Sequence, residues 1–463
     1  MSDRTYAHFI GAGGAGMSGI ALVLHQRGAV VTGSDLKESR YSRALADAGV
    51  AISIGHDAAN LGDPEIVVVS TAIPERNPEL ASARERGLEV WPRARMLAHL
   101  AGDRATIAVA GTHGKTSTSS MTATMLSHMG LEPSFLIGGE VDGFSTNAAN
   151  GQGPHYVVEA DESDGSFVYL EPKVAVITNI EADHLDHYSG IEEIERTFEQ
   201  FMERTTSDGT LVVCGDDSRL VALARAHDRG VVTYGFGDEC DVRCAIVRRD
   251  GLGHVFTATF PDGRSVSSRM AVPGRHMVSN ATASLATAYA LGLDLDSAAQ
   301  GIASFSGVRR RFDLVAEVDG VTIVDDYGHH PTEIAATLGA AAELDYDRVW
   351  VVFQPHRYSR TAAFAKEFGA AFEAADGVVL MDVYSAGEAP VPGVSGRTVL
   401  TSMLEQHPRS RAAYLPHRID VVPYLVRVVR PGDLVITMGA GDVTAVGPEL
   451  AAALTTADRG VSA

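Results

Sequence analysis

Three times along this chain a short β-branched run ends in a glycine-rich turn that opens a helical stretch: GAGGAGMSG at 11–19, GTHGKTSTS at 111–119 and GAGDVTAVG at 439–447. Each such unit points backbone N–H groups from a helix N-terminus at one edge of a sheet, so each turn is a prospective anion-binding edge. The runs HFIG, AVVTGSD, EIVVVS, TIAVAG, HYVVEA, VAVITNI, TLVVCG, VTIVDDY, RVWVVFQ, GVVLMDVY and DLVITMGAG read as strands of parallel sheets covered by helices. Three turns in 463 residues predict three α/β domains, over 1–103, 104–308 and 309–463. The second boundary follows the short helix DSAAQGIASF, for which Asp296 or Ser297 is the expected N-cap. No Pro-rich or Gly/Ser linker separates the blocks, so close contact between domains is expected.

Composition narrows the partners. A formal charge of -21 argues against nucleic acid and anionic membranes, whose phosphates are held by clustered Lys and Arg. The longest uncharged stretches carry Ser, Thr and Asn at core positions, so membrane insertion is not expected, and with no signal peptide apparent a cytoplasmic location is. Cys214, Cys240 and Cys244 form no C-x-x-C pair and read as small buried hydrophobes.

The first turn has Gly11, Gly13 and Gly16 at G-x-G-x-x-G spacing, with Asp35 closing the next strand about 20 residues on. That spacing fits a dinucleotide or a nucleotide-sugar diphosphate equally. The second turn says more. In TIAVAGTHGKTSTSS, Gly111 and Gly114 flank Thr112 and His113, Lys115 is placed for β- and γ-phosphates, and the Thr116 hydroxyl for Mg²⁺. Val109 occupies the first glycine position of the strict Walker pattern. Lys115 is one of only four lysines, in a charge-poor stretch where a solvated face does not explain it. The next strands end in Glu159, Asp161, Glu162 and Asp164, then in Asn179, Asp183, His184 and His187. Carboxylates so concentrated repel one another unless a cation lies among them, and hard oxygens suit Mg²⁺ better than zinc. An NAD-dependent oxidoreductase would account for the first turn and leave GTHGKT and the carboxylates idle. A noncatalytic nucleotide-binding scaffold would need neither the carboxylates nor HRYSR.

These blocks, with STAIP, PGRHMVSNATAS, GVRRRFD, VDDYGHHPTE, FQPHRYSRT, DVYSAGEAPVPGVSG and MGAGD in order over the whole length, resemble the Mur ligases, the ATP-dependent amide-forming family of peptidoglycan assembly. The resemblance implies a Rossmann-like UDP-binding domain, a central P-loop ATPase-like domain and a Rossmann-like C-terminal domain. It implies a UDP-sugar site at Gly11, Gly13, Gly14, Gly16, Met17, Ser34, Asp35 and Ser70, and ATP held by Gly111, Thr112, His113, Gly114, Lys115, Thr116, Ser117, Asn280, Arg311 and Asp326. Thr116, Glu162 and His184 would be metal ligands, with Lys115, Glu162, His184, Arg311 and Asp326 carrying catalysis. Arg357 and Arg360, with His330 and His356, would receive the acceptor, and His329, His330 or His356 would relay its proton. Met277 stands where the family's GRHN-type block often has asparagine. No lysine lies between Lys173 and Lys366, so the carbamylated lysine of several relatives has no counterpart. That absence and DDYGHHPTE resemble the members that join L-alanine to UDP-N-acetylmuramate rather than those that return a tripeptide. A monomer or weak homodimer is expected.

Overall fold

The computed structural model describes residues 5–70, 72–163, 165–183 and 188–461, without the side chains of Ser166 and 457–461. His184, His187 and Asp164 lie outside the described residues. Three sheets follow one another along the chain. In the first, Tyr6–Ile10 is central, with Val30–Asp35 and then Ala51–Ile54 on one side, Ile66–Val69 and then Glu89–Pro92 on the other, all parallel. The second has ten strands around Ala105–Ala110, whose neighbours are His155–Glu159 and Val174–Ile177. The third has six, with Asp433–Met438 between Val321–Asp326 and Arg348–Phe353.

The central strands are buried on both faces, which is why Val174–Ile177 and Gly377–Leu380 read as unbroken apolar runs. The second and third sheets are not purely parallel. Val242–Asp250, Gly253–Thr259 and Ser265–Met270 form an antiparallel meander at one edge of the second sheet, and Asp313–Val318 pairs antiparallel with Val321–Asp326. Their one wet face gives period-two sequences such as SVSSRM, which an all-apolar template passes over.

The charge-poor stretch after GTHGKT forms the helix Lys115–His128, buried along most of its length. Two of its hydroxyls bond back to the helix, Ser119 Oγ donating to the Lys115 carbonyl at 2.7 Å and Thr122 Oγ1 to that of Thr118 at 2.8 Å, whereas Thr118 Oγ1 and Ser120 Oγ are buried with no partner among the described residues. Thr122 also lies 3.0 Å from Ser284 on the neighbouring helix Arg275–Ala290. Short side chains allow this close packing and place the helix N-terminus firmly at the sheet edge. Helix Leu295–Ala303 is capped by Asp294, which accepts from Ser297 N, and not by Asp296 or Ser297. The segment into the third sheet keeps a bridge from Val308 to Val141, then turns through left-handed Arg310 (φ 64°) and Phe312 (φ 51°). Among the described residues no helix is long and apolar enough to cross a membrane. Cys244 is buried, Cys214 and Cys240 are half-buried, and all three are free thiols.

Candidate active site

The turn after Ala105–Ala110 is built to an exact backbone path by its neighbours. Gly111 has φ 132°, and a Cβ there would collide with the Thr178 hydroxyl. Gly114, at φ 81°, would bring a Cβ to 2.8 Å from Asn280 Oδ1. Asn179 pairs with the loop as a peptide would: its Oδ1 accepts from His113 N at 2.9 Å and its Nδ2 donates to the His113 carbonyl at 3.1 Å. Lys115 curls back over the turn, donating to the carbonyls of Gly111 (2.6 Å) and Thr112 (3.3 Å) and to Glu162 Oε1 (2.7 Å). Burial works against its charge, but Glu162 and Asp161 outweigh it and raise its pKa.

The acidic cluster is divided among partners. Glu159 Oε1 accepts from Thr116 Oγ1 at 3.1 Å, and its Oε2 from Gly138 N at 2.7 Å. Burial would raise Asp161, yet Lys115 and Arg93, the latter 2.9 Å away, hold it at about 2. Burial pushes Glu162 up to about 7, Asp161 adds to the push and Lys115 opposes it. Among the described residues, Glu162 Oε2 is buried without a hydrogen-bond partner. Thr116, Glu159 and this orphaned oxygen are hard donors beside the phosphate loop, a set that fits Mg²⁺. Glu159 faces Thr116, whereas Glu162 is paired with Lys115. Its place in the acidic run was plain in the sequence, but which carboxylate meets the threonine depends on how the strand ends.

A second cluster lies beside the loop. Side-chain ligand atoms of His113, Glu181 and His330 lie within 4.8 Å of one another. His330 Nδ1 accepts from Thr332 N, so the neutral ring carries its proton on Nε2 and offers a donor there. His113, between Glu181 and Glu333 at 3.5 Å each, is pushed up to about 9 because the two carboxylates outweigh burial. With His113 protonated, the arrangement is a clasp between the second and third sheets.

Two cavities meet at the loop. One, of about 180 Å³, is walled by Val272, Pro273, Met277 and Ala340 and includes Gly114, Ser117, Asn280, Arg311 and Asp326. Its polar groups come from both units, and its apolar walls suit a flat base. Met277 is part of that wall, in place of an amide. His276, on the same wall, is lowered to about 4 by burial and by Arg311. Asp326 accepts from Phe312 N (2.9 Å) and Gly328 N (2.7 Å). The other cavity, about 510 Å³, runs from Ala15, Arg40 and Tyr41 past Lys115, Thr116, Glu159 and Asp161 to Arg311, His329, His356, Arg357 and Arg360. Arg360 is engaged within it: its guanidinium grips Asp183 at 2.9 to 3.2 Å. His330 does not line this cavity; it is buried with its ring 4.7 Å from that of His113. His329 and His356 do line it, pushed down to about 3 and about 4, chiefly by burial and with Arg360 contributing to both.

At the first sheet the glycine turn is held from below. Gly11 N and Ala12 N both donate to the Ser34 carbonyl at 2.9 Å, and Gly13 N donates to Asp35 Oδ2 at 2.8 Å. The anion donors that remain are therefore those of the first helical turn, at Ala15, Gly16 and Met17. The side chains of Ser34 and Met17 are buried, with Ser34 Oγ donating to Glu79. Asp35 and Ser70 are half-buried at the same edge.

Three nucleotide-sized edges facing shared cavities define a ligase of the Mur type. The Mur ligase family catalytic domain matches residues 6–105, the Mur ligase middle domain 109–288, and the Mur ligase glutamate ligase domain 310–441. The chain belongs to the Mur ligase family. It is 46% identical over 97% of its length, and 98% of the other, to the UDP-N-acetylmuramate–L-alanine ligase of Pelotomaculum thermopropionicum. The crystal structure of the UDP-N-acetylmuramate–alanine ligase of Thermotoga maritima superposes with a TM-score of 0.82 at 28% identity, covering 98% of this chain and 99% of that one. A murein peptide ligase from Psychrobacter arcticus gives 0.73 at 25% identity, covering 97% and 98%.

Proposed function

We infer that this chain is an ATP-dependent ligase that joins L-alanine to the lactyl carboxylate of UDP-N-acetylmuramate, a step of peptidoglycan precursor synthesis. The observation that carries the reading is the placement of Lys115, Thr116 and Glu159 on the same cavity as Arg311, His356 and Arg357 of the third unit. The sugar nucleotide lies along the first helical turn at Gly14, Gly16 and Asp35, and the adenine between Met277, Asn280 and Ala340. The triphosphate crosses the turn Gly111–Ser117.

A carboxylate oxygen attacks the γ-phosphorus, the bond to ADP breaks, and an acyl phosphate forms. The alanine nitrogen then attacks the acyl carbon and phosphate leaves. Phosphoryl transfer asks little covalent work of the protein, so the chain's task is placement and charge balance. Lys115 stays charged among carboxylates and offsets repulsion between the two anionic reactants. Magnesium, held by Thr116, Glu159 and Glu162, with His184 as a further expected ligand, would add the same kind of neutralisation. Arg311 bridges the two cavities, where it meets the phosphates. Arg357 receives the acceptor carboxylate. Because Arg360 already holds Asp183, its part is to orient the wall of that pocket. His329 lines the acceptor side of this cavity: its Nδ1 lies 3.2 Å from the Tyr327 carbonyl, which puts the proton there and leaves the Nε2 lone pair to accept a hydrogen bond from the amine. Closure of the third unit over this cavity keeps water from the acyl phosphate.

The test is phosphate release from ATP with UDP-N-acetylmuramate and magnesium. L-Alanine sustains turnover, the tripeptide does not, and Lys115→Ala lowers kcat by at least about 100-fold, the scale for losing one charge-stabilising group. Turnover with tripeptide alone, or an unimpaired Lys115→Ala enzyme, overturns the assignment.

A further inference from the structure

The first sheet holds a carboxylate that the chemistry above does not use. Glu79 is fully buried in the first turn of the helix Pro78–Glu85, whose N-terminus is capped by Asn77. Its Oε2 accepts from Ser34 Oγ at 2.5 Å and faces His8 Nε2 at 3.4 Å and His56 Nδ1 at 3.5 Å. Its Oε1 accepts from Asp57 N at 3.2 Å and Asn60 Nδ2 at 2.8 Å. The carboxylate thus ties together Tyr6–Ile10, the end of Val30–Asp35 and the loop after Ala51–Ile54, three parallel neighbours. A buried charge persists only where donors surround it.

Ser34 connects this network to the turn above. Its hydroxyl donates downward to Glu79, while its carbonyl accepts from Gly11 N and Ala12 N. The next residue, Asp35, accepts from Gly13 N, and there is no slack: a Cβ on Gly13 would lie 2.8 Å from Asp35 Oδ2. A shift of Ser34 therefore moves the turn and Asp35 together.

We propose that Glu79 is a positioning residue for the sugar nucleotide: acting through Ser34, it holds the turn 11–14 and Asp35 in the geometry that receives the UDP moiety. This rests on the reading of that edge as the UDP-sugar site. Asp57 N–H and Asn60 N–H₂ require an acceptor at Oε1, while at Oε2 the carboxylate fixes Ser34 Oγ as a donor, with His56 Nδ1 3.0 Å from the same hydroxyl. Glutamine keeps the shape but removes the charge and puts an N–H₂ at the Oε2 position, so Ser34 Oγ–H must swing from residue 79 toward His56 Nδ1 and lose the bond that holds it in place. The carboxyl is held down at about 2, hydrogen bonds from His8, Ser34 and Asn60 outweighing burial.

The experiment is calorimetric titration of the full chain with UDP-N-acetylmuramate, alongside steady-state kinetics, for wild type and Glu79→Gln. Kd and KM for the sugar nucleotide rise about tenfold, as when a buried donor loses its acceptor. Meanwhile kcat and the KM values for ATP and L-alanine stay within about twofold, a split that general loss of fold does not produce. A wild-type chain that does not bind the nucleotide withdraws the site reading itself. Wild-type binding matched by Glu79→Gln overturns only the role of Glu79. Should Glu79→Gln fail to fold, Ser34→Ala removes the connecting hydroxyl alone and raises the nucleotide KM in the same direction; an unchanged KM in the folded Ser34→Ala chain overturns the proposal.

Discussion

Several residues of this protein carry a charge that their surroundings would suppress if taken one at a time. Glu79 is the clearest. Burial favours its neutral form, yet the donors around it lower its pKa from an ordinary 4.5 to about 2. A carboxyl lowered in the folded state stabilises the fold above its unfolded pKa and loses that contribution as pH falls through the folded value. The shift is worth about 3 kcal/mol, fully present above about pH 5 and largely gone near pH 2. In urea titrations across that range, the stability advantage of wild type over Glu79→Gln should shrink on acidification; a constant difference would show that the carboxyl is not lowered. Nothing in NPEL marks this glutamate as buried, because its partners Ser34, His8 and Asn60 lie far from it along the chain. By contrast, Lys115 was legible from its motif alone, since a lysine after a glycine turn has one local geometry.

Among elements, the strands buried on both faces and the three strand-turn-helix units could be read directly, because their apolar runs and glycines follow from local geometry. The edge meander of the second sheet could not, since its alternating polar face carries charges that mimic loop composition. The helix Leu295–Ala303 shows the limit on boundaries: Asp294, Asp296 and Ser297 are all good caps, and the structure uses Asp294 because the chain turns helical at Leu295. Asp294→Ala should therefore cost about 1 kcal/mol in thermal or urea unfolding, while Asp296→Ala costs less than about half of that. Both should leave kcat unchanged. The reverse order would place the helix start elsewhere.

For the whole molecule, the decisive contacts join the loop 179–183 to the third unit. Thr332 Oγ1 donates to Glu181 at 2.7 Å, His113 lies between Glu181 and Glu333, and Arg360 holds Asp183 with both side chains over 90% buried. Removing one member of a buried pair leaves the other uncompensated, at about 3–5 kcal/mol. Arg360→Leu should accordingly favour an open arrangement, seen as a larger radius of gyration in X-ray scattering with ATP present, and Asp183→Asn should do the same. An unchanged radius in both variants would show that these pairs do not govern closure. The sequence marked Arg360 as a clamp for a substrate carboxylate; in the folded chain the carboxylate it clamps is the protein's own.

By itself the sequence determined the three glycine turns, the apolar strands that carry them, the lone lysine and the acidic run beside it, because each is written in residues close together along the chain. Tertiary structure alone decided which carboxylate faces Thr116, that the Ser34 carbonyl and Asp35 hold the first glycine turn from below, that His330 belongs to an interdomain clasp, and that Arg360 is already paired. Those outcomes depend on which side chains meet across sheets and units. Burial and hydrogen bonding between residues distant in sequence set them, and no local pattern encodes such meetings.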